Sequence, residues 1–163
     1  MKARIPKFTV DAQWGVLALC AWQSADLVTA WAHSPFDRYG WLALALWLAP
    51  VFAAAFGFRA ALPASRRSFH LAWLALFTCL TGVLTEMHFL QHAALALAGV
   101  AVTPRFRLDN LWLALALAWM PALGWLLGGL PVSGVAAIRL ALTAVAALLV
   151  LVSVRQNFRR ACE

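Results

Sequence analysis

Four long apolar runs limit what this chain can fold into more than any other feature of its sequence. In approximate numbering they cover residues 12–32, 40–59, 110–128 and 132–154. Each run falls within the about 17–25 residues that a helix needs to cross the hydrocarbon core of a bilayer. Pro35 with Asp37 separates the first two runs, and Gly128, Gly129 and Pro131 separate the last two. The runs therefore predict membrane-spanning helices.

The composition leaves little room for a water-soluble domain. Hydrophobic residues make up 64% of the 163, charged residues make up 12%, and the mean hydropathy is +0.82. Soluble domains carry about 25% charged residues, so a soluble globule of this size could not cover its surface with the charges available. We therefore expect one integral membrane domain over residues 1–163.

The basic balance of the chain, a formal net charge of +7, indicates which partners to expect. Nucleic-acid-binding proteins concentrate their basic residues on a soluble face. Here the basic residues lie between apolar runs, where anionic lipid headgroups attract them. The expected partners are membrane lipids and other membrane or exported proteins, and nucleic acid is not expected.

The stretch from Ser68 to Val102 decides the number of crossings. Its about 34 residues are too many for one span and few for two, and Thr85–His92 (TEMHFLQH) places polar residues in its middle. Basic residues collect on the cytoplasmic side of a membrane, so their distribution can distinguish the two cases.

Two crossings place almost all of the 13 Lys and Arg residues on one side when the N-terminus is cytoplasmic. The cytoplasmic residues would be Lys2, Arg4, Lys7, Arg59, Arg66, Arg67, Arg105, Arg107, Arg155, Arg159 and Arg160. Arg38 would be the outer one, and Arg139 lies within the last run. A single crossing would instead divide the charges six against six.

The charge distribution therefore predicts an all-α, polytopic transmembrane bundle of six spans. The predicted spans cover about residues 12–32, 40–59, 69–86, 88–103, 110–128 and 132–154. Both termini would be cytoplasmic in a multi-pass protein of the bacterial inner membrane. Five spans are the alternative, because Thr85–His88 contains no Gly or Pro that would turn the chain.

Two ionisable residues fall at similar depth in the predicted bundle. Asp26 lies near the outer end of the first span and Arg139 near the outer start of the last. An ionisable group within a span costs about 2.5–3.5 kcal/mol on insertion scales, so such groups usually have partners. We expect Asp26 and Arg139 to approach each other, either as an ion pair that sets the helix register or as a substrate or proton site.

Further polar residues extend this outer half of the predicted bundle. The whole polar cluster consists of Asp26, His33, Glu86, His88, Gln91, His92 and Arg139. His88 and His92 lie four residues apart on one helix face, but two histidines do not complete a catalytic metal site. We therefore expect no metal and no cofactor, and interfacial histidines that satisfy backbone groups near a turn.

Two segments of the chain resemble the exosortase/archaeosortase family of polytopic membrane proteins. Trp31–Pro50 (WAHSPFDRYGWLALALWLAP) is similar to the Trp-x-x-Ser-Pro entry to an early span, and Leu84–Leu97 (LTEMHFLQHAALAL) to a later His-Ala-Leu-rich helix. Together they cover about a fifth of the chain. The resemblance implies a polytopic membrane protein related to the amino-terminal part of that family, which processes the sorting signals of exported proteins.

The catalytic motif of that family has no counterpart here. Family members that cleave use a Cys in an Ala-Cys-Ser-Gly-like context, followed along the chain by an Arg and a His. Cys79 is flanked by Thr78 and Leu80, and no histidine follows His92. The resemblance therefore implies no catalytic residue at a matching position.

Three functions are compatible with these observations. The first is a non-catalytic partner or scaffold in protein sorting, export or envelope assembly. The second is a divergent membrane cysteine protease or transpeptidase that would use Cys79, His88 and Arg139. The third is a small redox or transport subunit that uses the histidine cluster. Cys20 and Cys79 both lie inside apolar runs, so the simpler interpretation is that they are small buried side chains.

Overall fold

The computed structural model describes residues 8–56, 66–103 and 109–162, which form helices and turns without a strand. The α-helices in this part of the chain are α1 (Phe8–Gln23), α2 (Asp26–His33), α3 (Gly40–Phe56), α4 (Arg66–Leu84), α5 (His88–Val102), α6 (Asp109–Ala114), α7 (Ala122–Leu126) and α8 (Val132–Cys162). A short 3-10 segment, Leu115–Ala118, follows α6 directly.

The helices divide into two compact units, each made from two separate stretches of the chain. Unit 1 consists of residues 1–25 and 53–104, and unit 2 consists of residues 26–52 and 105–163. Unit 1 therefore holds α1, α4 and α5, and unit 2 holds α2, most of α3, and α6, α7 and α8. The expectation of one integral membrane domain over residues 1–163 stays a prediction.

Unit 1 is a hairpin of α4 and α5 that packs against α1. Helix α5 is buried over most of its length, from Gln91 to Ala101. A glycine permits its close approach to α4, because a Cβ on Gly82 would lie 3.0 Å from the backbone nitrogen of Gln91 and from the Cβ of Leu90. The small residue therefore sets the distance between the two helices at the closed end of the hairpin.

The turn between α4 and α5 uses a residue other than glycine in the left-handed conformation. The backbone N–H of Met87 donates to the carbonyl oxygen of Gly82 at 2.9 Å, and the backbone N–H of Glu86 donates to the carbonyl oxygen of Val83 at 3.3 Å. This pair of hydrogen bonds is the Schellman motif, which ends a helix and places the residue after its C-cap at positive φ. Glu86 takes that position with φ 56°. A continuous helix through this stretch, which the five-span alternative requires, is therefore not present.

Unit 2 contains one long helix, α8, and one broken helix. The broken helix runs from α6 through the 3-10 segment to a turn at Trp119–Pro121 and then to α7. Pro121 lacks a backbone N–H and disfavours a helical conformation in the residue before it, so the regular helix cannot pass through this point. Helix α8 packs against the 3-10 segment and against α7.

The prediction of a six-span polytopic bundle is wrong, because most of the helices are too short or not apolar enough to cross a membrane. Among the described residues, only α8 contains a window that is long and apolar enough to cross a membrane, Val132–Leu149. Three other helices have apolar stretches of 10–17 residues, at Gly40–Ala49, Ser68–Leu84 and His88–Val102. The helices are shorter than the predicted spans because the regular helix breaks inside two apolar runs. The first run is interrupted by a turn at Ser24–Ala25, and the fifth predicted span by the 3-10 segment and turn at Leu115–Pro121.

Candidate functional site

A buried ion pair lies in the interior of unit 2. The Nη2 atom of Arg139 donates to the Oδ1 atom of Asp37 at 2.6 Å, and these side chains expose 0% and 7% of their surface. Moving a charged group from water to a protein interior costs several kcal/mol, so a buried charge requires a close partner of opposite sign. The pair therefore ties α8 to the turn between α2 and α3.

The same guanidinium also binds the broken helix. Its Nη1 atom donates to the carbonyl oxygen of Ala118 at 2.6 Å, and its Nη2 atom donates to that of Met120 at 3.4 Å. Pro121 has no N–H to offer the carbonyl groups of the preceding turn, and the guanidinium supplies donors there. The carbonyl oxygen of Met120 also accepts from the N–H of Leu123 at 3.2 Å. We call Asp37, Arg139 and the carbonyl groups of Ala118 and Met120 the Arg139 site.

Two tryptophans supply donors to the broken helix. The Nε1 atom of Trp31 donates to the carbonyl oxygen of Trp119 at 3.0 Å, and the Nε1 atom of Trp47 donates to that of Trp112 at 2.7 Å. Trp47 also stacks on Trp112, with ring centroids 4.4 Å apart, and meets Trp119 edge to face at 5.8 Å. These indoles both cover the segment and satisfy its backbone.

Backbone turns and glycines position the acidic partner. Two backbone hydrogen bonds close the turn between α2 and α3. The N–H of Asp37 donates to the carbonyl oxygen of Ser34 at 3.1 Å, and the N–H of Gly40 donates to the carbonyl oxygen of Asp37 at 2.8 Å. A Cβ on Gly124 would lie 3.3 Å from the Oδ1 atom of Asp37, so a side chain there would crowd the carboxylate. A Cβ on Gly40 would collide with the indole of Trp31.

The predicted site residues of unit 2 occupy different places in the structure. Asp26 is the first residue of α2, and the prediction that it pairs with Arg139 is wrong because the partner is Asp37. His33 is the exposed last residue of α2, where its Nδ1 atom lies 2.9 Å from the carbonyl oxygen of Thr29. This contact uses His33 to satisfy a helix-end carbonyl group.

The predicted site residues of unit 1 gather at the turn between α4 and α5. Glu86 and His88 are exposed there, and Gln91 and His92 are buried in the first turns of α5. Gln91 binds through its side chain and its backbone, because its Nε2 atom donates to the carbonyl oxygen of Gly82 at 3.4 Å and its backbone carbonyl oxygen accepts from the hydroxyl group of Ser24 at 3.2 Å. Gln91 therefore links α5 to α4 and to the end of α1.

The proposed nucleophile and its neighbour lie in the interior of unit 1. Cys79 on α4 and Cys20 on α1 are both free thiols, and Cys79 exposes 1% of its surface. The two thiols are neighbours. A catalytic thiol must meet its substrate, whereas these two thiols fill the space between two helices. Cys79 and His88 belong to unit 1 and Arg139 to unit 2.

Within residues 8–56, 66–103 and 109–162, no group of three or more His, Cys, Asp or Glu side chains lies close enough to hold a metal ion. His88 and His92, which share a helix face in the sequence, differ in exposure, because His88 is exposed and His92 is buried.

The residue that sequence reasoning missed is Asp37. The sequence pattern indicates a helix break at Asp37, next to Pro35, and does not by itself identify Asp37 as the partner of a buried cation. The chain has only 6 acidic residues, so few carboxylates could pair with an arginine inside an apolar run. That scarcity, together with the Ser-Pro turn that carries Asp37, is the information from which the pair could have been predicted.

Comparisons with known proteins leave the chain without an assigned family. No protein-family model matches it, and no curated protein or solved structure is significantly similar to it. The resemblance to exosortases therefore rests on Trp31–Pro50 and Leu84–Leu97 alone, and stays a prediction.

Proposed function

We propose that this chain is an integral protein of the cytoplasmic membrane, held in the bilayer by α8. In this proposal it acts without catalysis, as a partner or scaffold for other membrane or exported proteins in sorting, export or envelope assembly. The observation that carries the membrane location is the arrangement of polar and apolar side chains around α8.

The buried side of α8 is a narrow stripe that includes polar residues. Only 28% of the Val132–Leu149 window is buried. The buried residues of this window are Val135, Arg139, Thr143, Ala146 and Leu149. Steps of three and four residues place them on one helix face. Arg139 forms its ion pair on this face, and Thr143 donates to the carbonyl oxygen of Arg139 at 2.8 Å.

The exposed side of α8 carries the large apolar residues. They include Ile138, Leu140, Val145 and Leu148. A surface helix of a soluble protein shows the opposite arrangement, with apolar residues inside and polar residues outside, and a soluble core helix is buried all round. A helix with a polar face inside and an apolar face outside fits a lipid environment. The 18-residue window Val132–Leu149 would extend about 27 Å, close to the hydrocarbon thickness of about 30 Å.

The sequence after the apolar window supports an orientation. Arg155, Arg159 and Arg160 follow it in the C-terminal part of α8. Basic residues next to a span stay on the cytoplasmic side. We therefore place the C-terminus of the chain in the cytoplasm and the start of α8, at Val132, on the outer side.

The internal use of the polar groups supports a non-catalytic role. Arg139 binds Asp37 and two backbone carbonyl groups, Gln91 joins three helices of unit 1, and Cys79 is enclosed. Each of these groups holds helices together, which is the role expected of a framework on which other proteins assemble.

Substitution of arginine for apolar residues on the exposed face of α8 tests the membrane location. Leu140→Arg combined with Val145→Arg should reduce the fraction of protein that stays in membranes after alkaline carbonate extraction, since both exposed positions lie away from the ends of the Val132–Leu149 window and an arginine costs about 2.5–3.5 kcal/mol at the centre of a span. Ser133→Arg, at the first turn of α8, is the matched control and should insert normally because its side chain can reach the headgroups. Release of the unaltered protein by carbonate, or normal insertion of the double variant, would contradict the proposal.

A cysteine variant tests the non-catalytic role. In a strain whose chromosomal copy is deleted, Cys79→Ala should restore the profile of exported proteins as fully as the unaltered chain, because the buried thiol serves only as packing. Immunoblots of membrane fractions would confirm equal amounts of both proteins. A variant that is present in normal amount but fails to complement would favour the cysteine protease or transpeptidase instead.

A further inference from the structure

Unit 2 has a group of exposed aromatic and apolar side chains close to the start of α8. Trp125 exposes 85% of its surface, Leu126 exposes 66%, and Trp41 exposes 57%. Leu130 and the cation Arg38 are also exposed. We call Arg38, Trp41, Trp125, Leu126 and Leu130 the rim patch.

Contacts within unit 2 bring the parts of the rim patch together. Gly124 of α7 lies against the turn that carries Asp37, because a Cβ there would be 3.1 Å from the Cβ of Phe36. Helix α7 also packs against α8, and Leu130 is in contact range of Gly134 in the first turn of α8. The turn before α3, helix α7 and the beginning of α8 are therefore neighbours.

The chemistry of the rim patch fits the boundary between water and lipid. Tryptophan is enriched at the headgroup level of membranes, where its ring is in an apolar environment and its N–H meets polar groups. The patch adjoins Val132, where the apolar window of α8 begins. Arg38 adds a positive charge that its neighbour Asp37 does not neutralise, because the Asp37 carboxylate is turned inward to Arg139.

We propose that the rim patch binds anionic phospholipid, with the Arg38 guanidinium on the headgroup phosphate and the exposed rings among the upper acyl carbons. This inference rests on the proposed membrane location and adds a lipid preference to it. A basic residue near a membrane surface contributes about fivefold to the attraction of anionic lipid, so the preference assigned to Arg38 has that size.

A local fluorescence measurement can test this preference despite the many other basic residues of the chain. The full-length protein would carry Leu126→Cys in a Cys162→Ser background and a bimane label at position 126, with Cys20 and Cys79 protected by burial. After reconstitution, quenching by doxyl-labelled phosphatidylglycerol is compared with quenching by doxyl-labelled phosphatidylcholine. We expect about fivefold local enrichment of the anionic lipid, and Arg38→Gln should abolish it.

A second label position separates the rim patch from the rest of the protein. A label introduced by Val152→Cys, at an exposed position about 30 Å along α8 from Val132, should show a lipid ratio that does not depend on Arg38. Equal quenching by both lipids at position 126 would overturn the headgroup preference. Absence of quenching by either lipid, in protein that resists carbonate extraction, would show that the patch lies away from lipid or is covered by a second copy, and would also overturn the inference. If alkaline carbonate releases the unaltered protein from membranes, the proposed membrane location itself is wrong.

Discussion

Replacement of Asp37 by Ala should destabilise the protein by about 3–5 kcal/mol. Removing one partner of a buried ion pair leaves the other charge uncompensated, and measured costs of such changes fall in this range. Arg139 exposes 0% of its side chain, so water cannot take over the role of the carboxylate without opening unit 2. The expected loss can be measured by denaturation in detergent micelles, followed through the fluorescence of the 9 tryptophans.

A double-mutant cycle separates the ion pair from the space that its side chains fill. Asp37→Leu with Arg139→Met should be much less harmful than either single change, because apolar replacements of similar volume remove both charges together. The Nε atom of Arg139 supports this expectation, since it has no hydrogen-bond partner within the described part of the chain and its desolvation is uncompensated. Arg38→Gln, one residue away and exposed, should change stability little. A cost below about 1 kcal/mol for Asp37→Ala would show that the pair does not hold unit 2 together.

Replacement of Trp47 by Ala should cost about 3–5 kcal/mol. Trp47 is completely buried, and its loss would leave a cavity next to Trp112 and Trp119. It would also remove the hydrogen bond from the Nε1 atom of Trp47 to the carbonyl oxygen of Trp112, a donor–acceptor distance of 2.7 Å. The same denaturation experiment measures this loss.

Trp47→Phe separates the hydrogen bond from the packing. Phenylalanine keeps an aromatic ring in the space but has no N–H, so the variant should lose about 0.5–1.5 kcal/mol for the hydrogen bond to the carbonyl oxygen of Trp112, with a further cost from its smaller ring. Trp125→Ala is the control for the removal of an indole, because Trp125 exposes 85% of its surface and supports little packing. If Trp47→Ala and Trp125→Ala have equal effects, the buried tryptophans do not organise the broken helix.

The sequence was sufficient to predict helices and several of their limits. Pro35 lies in the turn before α3, and Gly128, Gly129 and Pro131 lie in the turns before α8, as their conformational properties require. Polar sequence at Thr85–His92 marked the region where α4 ends and α5 begins. These turns and helix ends depend on the conformational preferences of the residues that form them, so the sequence nearby is enough to predict them.

Other features depend on contacts between distant parts of the chain and could not be predicted from local sequence. The turn at Ser24 interrupts an apolar run, and the hydroxyl group of Ser24 binds the carbonyl oxygen of Gln91, 67 residues away. Glu86 adopts the left-handed conformation without a glycine, because packing of α4 on α5 stabilises the turn. Depth in a predicted bundle suggested Asp26 as the partner of Arg139, whereas the turn at Ser34–Gly40 presents Asp37.

The broken helix in unit 2 also limits the order in which the chain can mature during synthesis. Its backbone is satisfied by Trp31 and Trp47, made early, and by Arg139, made near the end. A ribosome that has finished residue 126 has produced the whole segment but not the guanidinium that binds its carbonyl groups. Unit 2 must therefore wait for α8 to leave the exit tunnel, while α1, α4 and α5 can already pack together. Chains truncated before Arg139 should expose unpaired backbone and be recognised by quality-control proteases.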